Sequence, residues 1–184
     1  MNQENQYIKM AKGGDKAAFG QLVKLHKDFT FSVIFNIVKN KQDAEDIMQN
    51  VFIKVFYKLP KFNQQSKFST WLYRIATNES LTFKRLYKHK FDTEQALETV
   101  GVSSNAEQEL EQQDQNKYVQ EAINQLTDAE KLVVSLFYLK EHKIKEIAKI
   151  SDKTESWVKV VLHRGRGKLK TILEANKSKI YGAG

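Results

Sequence analysis

Apolar residues recur every three or four positions along most of the chain, which is the period of an amphipathic α-helix. After Gly13-Gly14, Asp15 is placed to cap a helix whose apolar positions are Ala18, Phe19, Leu22 and Val23. A second stripe runs through residues 29–38 and is interrupted at Asn40. The pattern therefore predicts two helical stripes before residue 40.

The clearest amphipathic pattern lies between Asp43 and Leu59. Its apolar positions follow at spacings of four, one, three, one and three residues: Ile47, Val51, Phe52, Val55, Phe56 and Leu59. Acids crowd the first turn, where the helix dipole favours negative charge, so capping is one explanation for Asp43, Glu45 and Asp46. Pro60 should end this helix because proline has no backbone N–H donor. Residues 60–67 are then predicted to be a loop.

The next helix is predicted to begin near Phe68, with Ser69 and Thr70 as candidate caps. Its apolar stripe consists of Trp71, Leu72, Ile75 and Ala76, and its far end carries Lys84, Arg85, Lys88, His89 and Lys90. We expect one end of this helix to pack into a core and the other to meet a polyanion. A basic end that is merely solvated is the alternative.

The second half of the chain has a different organisation. Residues 92–115 show weak periodicity and are predicted to be a mostly flexible acidic linker, with a helix beginning near Ala106. A helical stripe follows at Tyr118, Val119, Ala122, Ile123 and Leu126. Thr127 and Glu130 then form a capping box that opens a helix with Leu132, Val133, Leu136 and Phe137 on its buried side.

A helix-turn-helix is predicted near the C-terminal end. It consists of a short helix at residues 144–150, a tight turn at residues 151–153, and a longer helix from about Thr154. The longer helix carries many cations: Lys159, Arg164, Arg166, Lys168 and Lys170.

Charge is segregated along the 184 residues. Residues 1–90 hold 16 Lys and Arg against 7 Asp and Glu, residues 91–116 hold none against 7, and residues 117–184 hold 14 against 8. Two basic modules joined by an acidic connector indicate a nucleic-acid partner. Ordinary surface charge for solubility would explain an evenly spread net +8, and the segregation of the signs weakens that alternative.

Composition excludes several classes. The chain has no cysteine, which rules out disulfides and thiolate metal sites. It has no apolar run long enough to span a bilayer, and its start lacks the apolar core of a signal peptide, so a cytoplasmic protein without membrane insertion is expected. The single proline favours a largely helical fold.

No catalytic constellation is visible. The four histidines, His26, His89, His142 and His163, are far apart and lack helical metal spacing. The glycines of RGRGK are predicted to sit at a helix end and do not form a phosphate-binding loop. We therefore predict a protein that is not an enzyme, has no metal site and needs no cofactor.

Three motifs resemble the extracytoplasmic-function sigma factors, the small two-domain specificity subunits of bacterial RNA polymerase. The run from Phe68 to Asn78, FSTWLYRIATN, is similar to their promoter-reading helix. Ala44-Glu45-Asp46, with Gln49 and Phe52, resembles their polymerase-docking helix. Glu146-Ile147-Ala148, then Val158-Lys159, Leu162, Arg164 and Arg166, resembles their minus-thirty-five reader. The resemblance covers roughly residues 18–173.

The resemblance implies an all-α protein of two helical domains joined by an acidic linker, with a C-terminal helix-turn-helix. The domains would be residues 1–91, which bind core polymerase and the minus-ten strand, a linker at 92–115, and residues 116–184, which read upstream DNA. The linker would run through the polymerase interior as a stand-in for nascent RNA, or be simply solvated. The expected partners are core RNA polymerase and promoter DNA, both double-stranded and melted. An anti-sigma factor or another recruiting protein is a further candidate.

The resemblance also assigns sites. Polymerase binding falls to Asp43, Asp46, Gln49 and Asn50. Minus-ten DNA binding falls to Lys54, Phe62, Asn63, Gln64, Lys67, Trp71, Asn78, Lys84, Arg85 and Lys88. Upstream DNA binding falls to Thr154, Trp157, Lys159, His163, Arg164 and Arg166.

The loop from Phe62 to Lys67 would capture a flipped base, since amides can hydrogen-bond base edges and aromatic rings can stack on base faces. Anchoring of the loop is the alternative role for Phe62 and Phe68, and core packing is the leading interpretation for Trp71.

The upstream reader departs from the family pattern. Trp157, Val160 and Val161 replace polar residues, and Gly165 and Gly167 each weaken a helix by about 1 kcal/mol. The base-reading face is therefore predicted to be unusually apolar, which weakens independent upstream readout.

Two other classes remain open. A helix-turn-helix regulator that binds duplex operators without polymerase would usually dimerise and would not need the first two motifs. A helical RNA-binding or scaffold protein would explain the charge but not three motifs in this order.

Overall fold

The computed structural model describes residues 3–87, 119 and 121–175, which belong to two compact units. Within these residues the regular structure is helical and no strand is present, so the all-α prediction is confirmed. The predicted linker, the helix near Ala106, and His89 and Lys88 lie outside the described residues. The domain boundaries that flank the linker stay a prediction.

The described part of the first unit contains four α-helices: α1 (Gln3–Lys12), α2 (Lys16–Val38), α3 (Lys41–Lys58) and α4 (Phe68–Leu86). A 3-10 helical turn at Leu59–Lys61 follows α3 and includes Pro60, so only residues 62–67 of the predicted loop lack helical structure. Asp15 caps α2 as predicted, because its side chain accepts a hydrogen bond from the Ala18 N–H at 3.0 Å. The two stripes predicted before Asn40 belong to this single helix. Asn40 is the N-cap of α3, and its side chain accepts from the Asp43 N–H.

Helix α2 packs against α1, α3 and α4 and so lies at the centre of the first unit. Its residues Leu22 and Ile34 are fully buried, as are Val51 of α3 and Leu72 and Tyr73 of α4. Burying one large apolar side chain stabilises a fold by roughly 1.5–3 kcal/mol, so the four helices are held together by this shared core.

The start of α4 differs from the prediction. The helix begins at Phe68, its N-cap is Lys67 with no side-chain capping bond, and Ser69 and Thr70 already lie inside the first turn. Thr70 is buried rather than placed to cap. Burial of Phe68 in the core fixes where the helix begins, and this outweighs the preference for serine or threonine at the N-cap, which is worth about 1 kcal/mol.

The second unit contains α5 (Asp128–Val134), which runs into a π-helical turn (Ser135–Leu139), then α6 (Ile144–Ser151) and α7 (Glu155–Ala175). The capping box at Thr127 is confirmed: the Thr127 N–H donates to Glu130 Oε2 at 3.0 Å, and the Glu130 N–H donates to Thr127 Oγ1 at 3.4 Å. Asp152 adopts the left-handed conformation, with φ 54°, in the tight turn between α6 and α7. The helix-turn-helix is therefore present where it was predicted.

The glycines of RGRGK were placed wrongly. Gly165 and Gly167 lie inside the 21-residue helix α7, not at a helix end. Gly165 is buried against α5, and the absence of a side chain there lets the two helices approach closely.

Candidate protein and nucleic-acid interfaces

One face of α3 is polar and exposed. Asp46, Gln49 and Asn50 are exposed, whereas Asp43 is half-buried in the first turn. The opposite face carries Ala44, Ile47, Val51 and Val55 and is buried in the core. Asn40 supplies the side-chain capping bond, and Asp43 lies in the first turn, where the helix dipole favours its negative charge. The face presents carboxylates and amides to solvent, a composition that suits a polar protein interface.

The same face continues with two apolar residues that sequence reasoning missed. Ile53 is 55% exposed and Tyr57 is 75% exposed. Asn50 follows Asp46 by four residues, Ile53 follows Asn50 by three, and Tyr57 follows Ile53 by four, which places all four on one side of the helix. That spacing could have placed Ile53 and Tyr57 on the polar face from the sequence alone. An exposed tyrosine beside polar groups is typical of residues that contribute strongly to binding.

The loop after α3 is anchored by Phe62. The Phe62 side chain is only 4% exposed, and its ring stacks on Trp71 with the ring centres 4.9 Å apart. Its edge meets Phe68, with 5.9 Å between ring centres. Phe62 therefore occupies the anchoring role, and its ring is not open to a base in this conformation. Trp71 is half-buried and completes the same aromatic cluster.

Beyond Phe62 the loop turns its side chains outward. Asn63, Gln64 and Lys67 are exposed. Gln64 adopts a left-handed backbone conformation, with φ 58°, and Asn63 Oδ1 accepts from the Gln65 N–H at 3.3 Å. The loop thus presents amide groups from a backbone that is locally fixed, which suits hydrogen bonding to base edges.

The remaining minus-ten candidates that the structure describes lie on α4, except Lys54, which lies on α3. Asn78 is exposed, and so is Arg74 one turn before it, a cation that sequence reasoning did not select. Lys54 of α3 forms an ion pair with Glu79 of α4, so a neighbouring carboxylate compensates its charge. Glu79 was missed because its partner is 25 residues away in the sequence.

Two cations at the basic end of α4 form hydrogen bonds within the protein. Lys84 Nζ donates to the Ile37 carbonyl at 3.3 Å, and Arg85 donates to the Leu81 carbonyl and the Thr82 hydroxyl. Both side chains are nevertheless exposed and leave a positive surface at this end of the helix.

In the second unit, α7 exposes most of the residues assigned to upstream DNA. Lys159, His163, Arg164 and Arg166 are exposed. Thr154 Oγ1 accepts from the Trp157 N–H at 3.2 Å, so this hydroxyl caps the helix. Trp157 itself is half-buried.

The predicted apolar reading face is partly wrong. Val161 is only 7% exposed and belongs to the core, whereas Val160 is 49% exposed. The exposed positions on this side of α7 are Ser156, Lys159, Val160, His163 and Gly167. Ser156 was missed, and it adds a hydroxyl that can contact base edges or phosphate.

Lys168 was counted among the cations of the longer helix, but it is paired with an acid. Its Nζ lies 2.8 Å from Oε2 of Glu130, a buried residue of α5. Burial raises the pKa of Glu130, but hydrogen bonds from Lys168 and Thr127 outweigh it and hold the pKa below its usual value. This pair connects α7 to the start of α5.

The histidines that the structure describes behave mainly as packing or surface residues. His26 lies between Glu4 and Tyr73, and His142 is buried 3.6 Å from Glu146. Within the described ranges, no group of three or more His, Asp or Glu side chains could hold a metal ion.

None of the helices in the described ranges is long and apolar enough to cross a membrane.

Comparison with known proteins identifies the family to which the chain belongs. Residues 22–89 match Sigma-70 region 2, and residues 116–169 match Sigma-70, region 4. The ECF RNA polymerase sigma factor SigW of Bacillus subtilis is 33% identical over 175 residues, which cover 89% of this chain and 92% of SigW. The chain belongs to the ECF RNA polymerase sigma factors.

Other relatives agree with this assignment. The ECF sigma factor SigM of Bacillus subtilis is 27% identical over 154 residues, covering 83% of this chain and 93% of SigM. Among solved structures, the sigma factor RpoE of Bartonella quintana, determined with the anti-sigma factor NepR, has a TM-score of 0.63 at 22% identity and covers 85% of this chain and 96% of its own. CnrH, determined with the cytosolic domain of CnrY, has a TM-score of 0.60 at 20% identity and covers 95% and 99%. Both likenesses support the fold.

The family matches fit the geometry of this sigma factor. The region 2 match contains most of α2, all of α3, the loop and α4, and the region 4 match contains α5, α6 and α7 as far as residue 169. Helix α1 precedes the region 2 match, although it packs against α2 in the same unit.

Proposed function

We propose that this sigma factor binds core RNA polymerase through the exposed face of α3 and captures the melted minus-ten strand with the loop from Asn63 to Lys67 and the exposed side of α4. The observation that supports this proposal is that the first unit has two separate exposed polar surfaces, one on α3 and one on the loop. Asp46, Gln49 and Asn50 are exposed on α3, and Asn63 and Gln64 are exposed on a loop anchored by the buried Phe62.

The second unit would contact upstream duplex DNA through α7. Lys159 and Arg164 are exposed and can reach phosphates or base edges from the major groove. Trp157 is half-buried and Thr154 caps the helix, so both would act mainly by shaping the start of α7.

In this scheme the sigma factor directs promoter recognition and melting but performs no catalysis. The polymerase supplies the active site and its metal ions, and the sigma factor needs no cofactor. It would act in the cytoplasm, where polymerase and chromosome meet. A protein inhibitor is a further proposed partner, because RpoE of Bartonella quintana was determined with an anti-sigma factor.

The test is a binding assay followed by transcription. The purified chain is mixed with bacterial core RNA polymerase, and the complex is isolated by gel filtration. The holoenzyme then transcribes a library of randomised upstream duplexes, and the transcribed templates are sequenced. We expect a shared promoter motif that appears only with the chain present. Dimeric binding to duplex DNA, with no association with core polymerase, would instead identify a polymerase-independent regulator.

A further inference from the structure

Helix α1 reaches the base of the loop that carries Asn63 and Gln64. Lys12, the last residue of α1, donates a hydrogen bond from Nζ to the Phe62 carbonyl at 2.8 Å, across 50 residues of sequence. The Lys12 side chain is half-buried at this contact. This hydrogen bond requires the Lys12 amine, but the acceptor is a backbone carbonyl that any residue at position 62 would provide.

The orientation of the Phe62 carbonyl sets the direction of the backbone between the buried Phe62 and the exposed Asn63. The Phe62 N–H donates to the Leu59 carbonyl at 3.0 Å, and its ring is held by Trp71 and Phe68. The peptide bond is planar, so fixing the Phe62 carbonyl also fixes the direction of the Asn63 N–Cα bond. The Lys12 contact therefore sets the starting direction of the exposed amide segment.

Helix α1 is itself held firmly enough to act as a support. Ile8 and Ala11 are buried. Glu4 Oε1 lies 2.7 Å from His26 Nε2, and His26 Nδ1 lies 3.2 Å from the hydroxyl of Tyr73, so a hydrogen-bonded chain joins α1, α2 and α4.

Lys67, at the other end of the loop, interacts electrostatically with Glu4 of the same helix α1. The hydrogen bond from His26 lowers the pKa of Glu4 most, and the charges of His26 and then Lys67 lower it further, against the effect of burial. Thus Lys12 contacts the residue where the loop starts, and Glu4 interacts electrostatically with Lys67, where the loop ends.

We infer that Lys12 is a positioning residue for the strand-capturing loop, acting through the Phe62 carbonyl without contacting nucleic acid. The inference rests on the proposed role of the loop in holding the minus-ten strand. It assigns a function in promoter melting to a helix that precedes the region 2 match.

The test compares three single variants within the full-length holoenzyme. Lys12→Met keeps an unbranched side chain but removes the donor, Lys12→Arg keeps a donor, and Lys9→Met is the matched control because Lys9 is an exposed cation in the same last turn of α1. The readout is the affinity for a labelled single-stranded oligonucleotide carrying the non-template minus-ten sequence of a promoter selected with the parent holoenzyme. We expect Lys12→Met to weaken binding about three- to tenfold, as for loss of one hydrogen bond. Lys12→Arg should restore most of the affinity, and Lys9→Met should match the parent.

A double-variant comparison separates positioning from direct contact. Asn63→Ala with Gln64→Ala is measured alone and together with Lys12→Met. If Lys12 acts through the loop, its removal adds little once the loop amides are gone. Additive losses, together with a smaller salt dependence in Lys12→Met, would show direct phosphate contact and overturn the inference.

Failure of the inference and failure of the proposed function give different results. If the loop variant weakens oligonucleotide binding but Lys12→Met does not, the positioning role of Lys12 is wrong and the loop assignment stands. If the loop variant binds as the parent does, the loop assignment is wrong and the inference falls with it. Core polymerase affinity and helical content, measured for every variant, should stay at parental values.

Discussion

Gly165 of α7 faces Val134 of α5 with no room for a side chain between the two helices. A Cβ atom at Gly165 would lie 2.8 Å from Val134 Cγ2 and 3.4 Å from Glu130 Cβ. Gly167, two residues further on, has open space around the same position. The pair offers a matched comparison of two glycines within one helix, of which only Gly165 is required by packing.

We predict that Gly165→Ala and Gly167→Ala change the stability of the second unit in opposite directions. Gly165→Ala should lower its free energy of unfolding by about 1–3 kcal/mol, because the added methyl overpacks the α5–α7 contact. Gly167→Ala should raise it by about 0.5–1 kcal/mol through better helix propensity. The measurement is urea unfolding followed by Trp157 fluorescence in a Trp71→Phe background, since these are the two tryptophans of the chain. Equal effects of the two substitutions would contradict close packing at Gly165.

A second prediction concerns pH. The pKa of Glu130 is held below its ordinary value of 4.5 in the folded state, so the unfolded state binds the proton more readily. The stabilisation from this carboxylate is complete above pH 4.5 and is lost as the pH falls through the folded-state pKa. Urea unfolding of the second unit between pH 3.5 and 7 should therefore show a steeper acid loss in the parent than in Glu130→Gln. The control is Glu121→Gln, an exposed acid in the same unit, and an identical pH profile for parent and Glu130→Gln would contradict the prediction.

The sequence was informative where the signal was local. Asp15 and Thr127 cap their helices as predicted because a cap bond involves residues only three apart. Helices α3 and α6 follow from strong periodicity, although α3 begins two residues earlier, since Asn40 is the cap.

Errors arose where tertiary packing chooses between locally similar options. Val158, Val160, Val161 and Leu162 are apolar neighbours, and only packing against the rest of the unit decides that Val160 is the exposed one. Gly165 resembles a helix breaker in sequence but is a close-packing residue. The partners of Lys54 and Lys168 are 25 and 38 residues away, beyond the reach of any local pattern.

A third prediction concerns docking. Asp46→Arg with Gln49→Ala should abolish binding to core polymerase while leaving helical content unchanged, because both residues are exposed on the polar face of α3. Asp28→Arg is the charge-matched control, being an exposed acid on α2. The measurement is a titration of labelled core polymerase. Unchanged affinity of the double variant would refute the docking assignment.

A fourth prediction concerns melting. Replacing Asn63, Gln64 and Asn78 with alanine should impair open-complex formation more than polymerase binding, since these exposed amides would hold unpaired bases. Each lost base contact is expected to weaken the open complex by about 1–3 kcal/mol. Permanganate footprinting of promoter DNA reports the melted thymines. Gln42→Ala, an exposed amide on α3, is the control, and equal melting by the triple variant and the parent would contradict the loop assignment.

The last prediction concerns the upstream reader. The exposed side of α7 has Val160 and Gly167 near its centre and the cations Lys159, Arg164 and Arg166 around them. Valine methyl groups can contact a thymine methyl but form no hydrogen bond with a base edge, so phosphate contacts should dominate. We therefore expect residues 112–184 to bind duplex DNA weakly, with little sequence preference and an affinity that falls steeply with salt as counterions are released.

Alanine substitutions test which contacts produce that binding. Lys159→Ala and Arg164→Ala should lower affinity by similar factors on all duplexes and reduce the salt dependence, as backbone contacts do. Lys168→Ala should change DNA affinity less than either, because Lys168 is already paired with Glu130. The measurement is competition binding to randomised duplexes at several salt concentrations. Discrimination of about 3 kcal/mol or more at several base pairs would show that Ser156, Lys159 and His163 read bases directly. A flat profile would leave promoter choice to the minus-ten strand or to a partner protein.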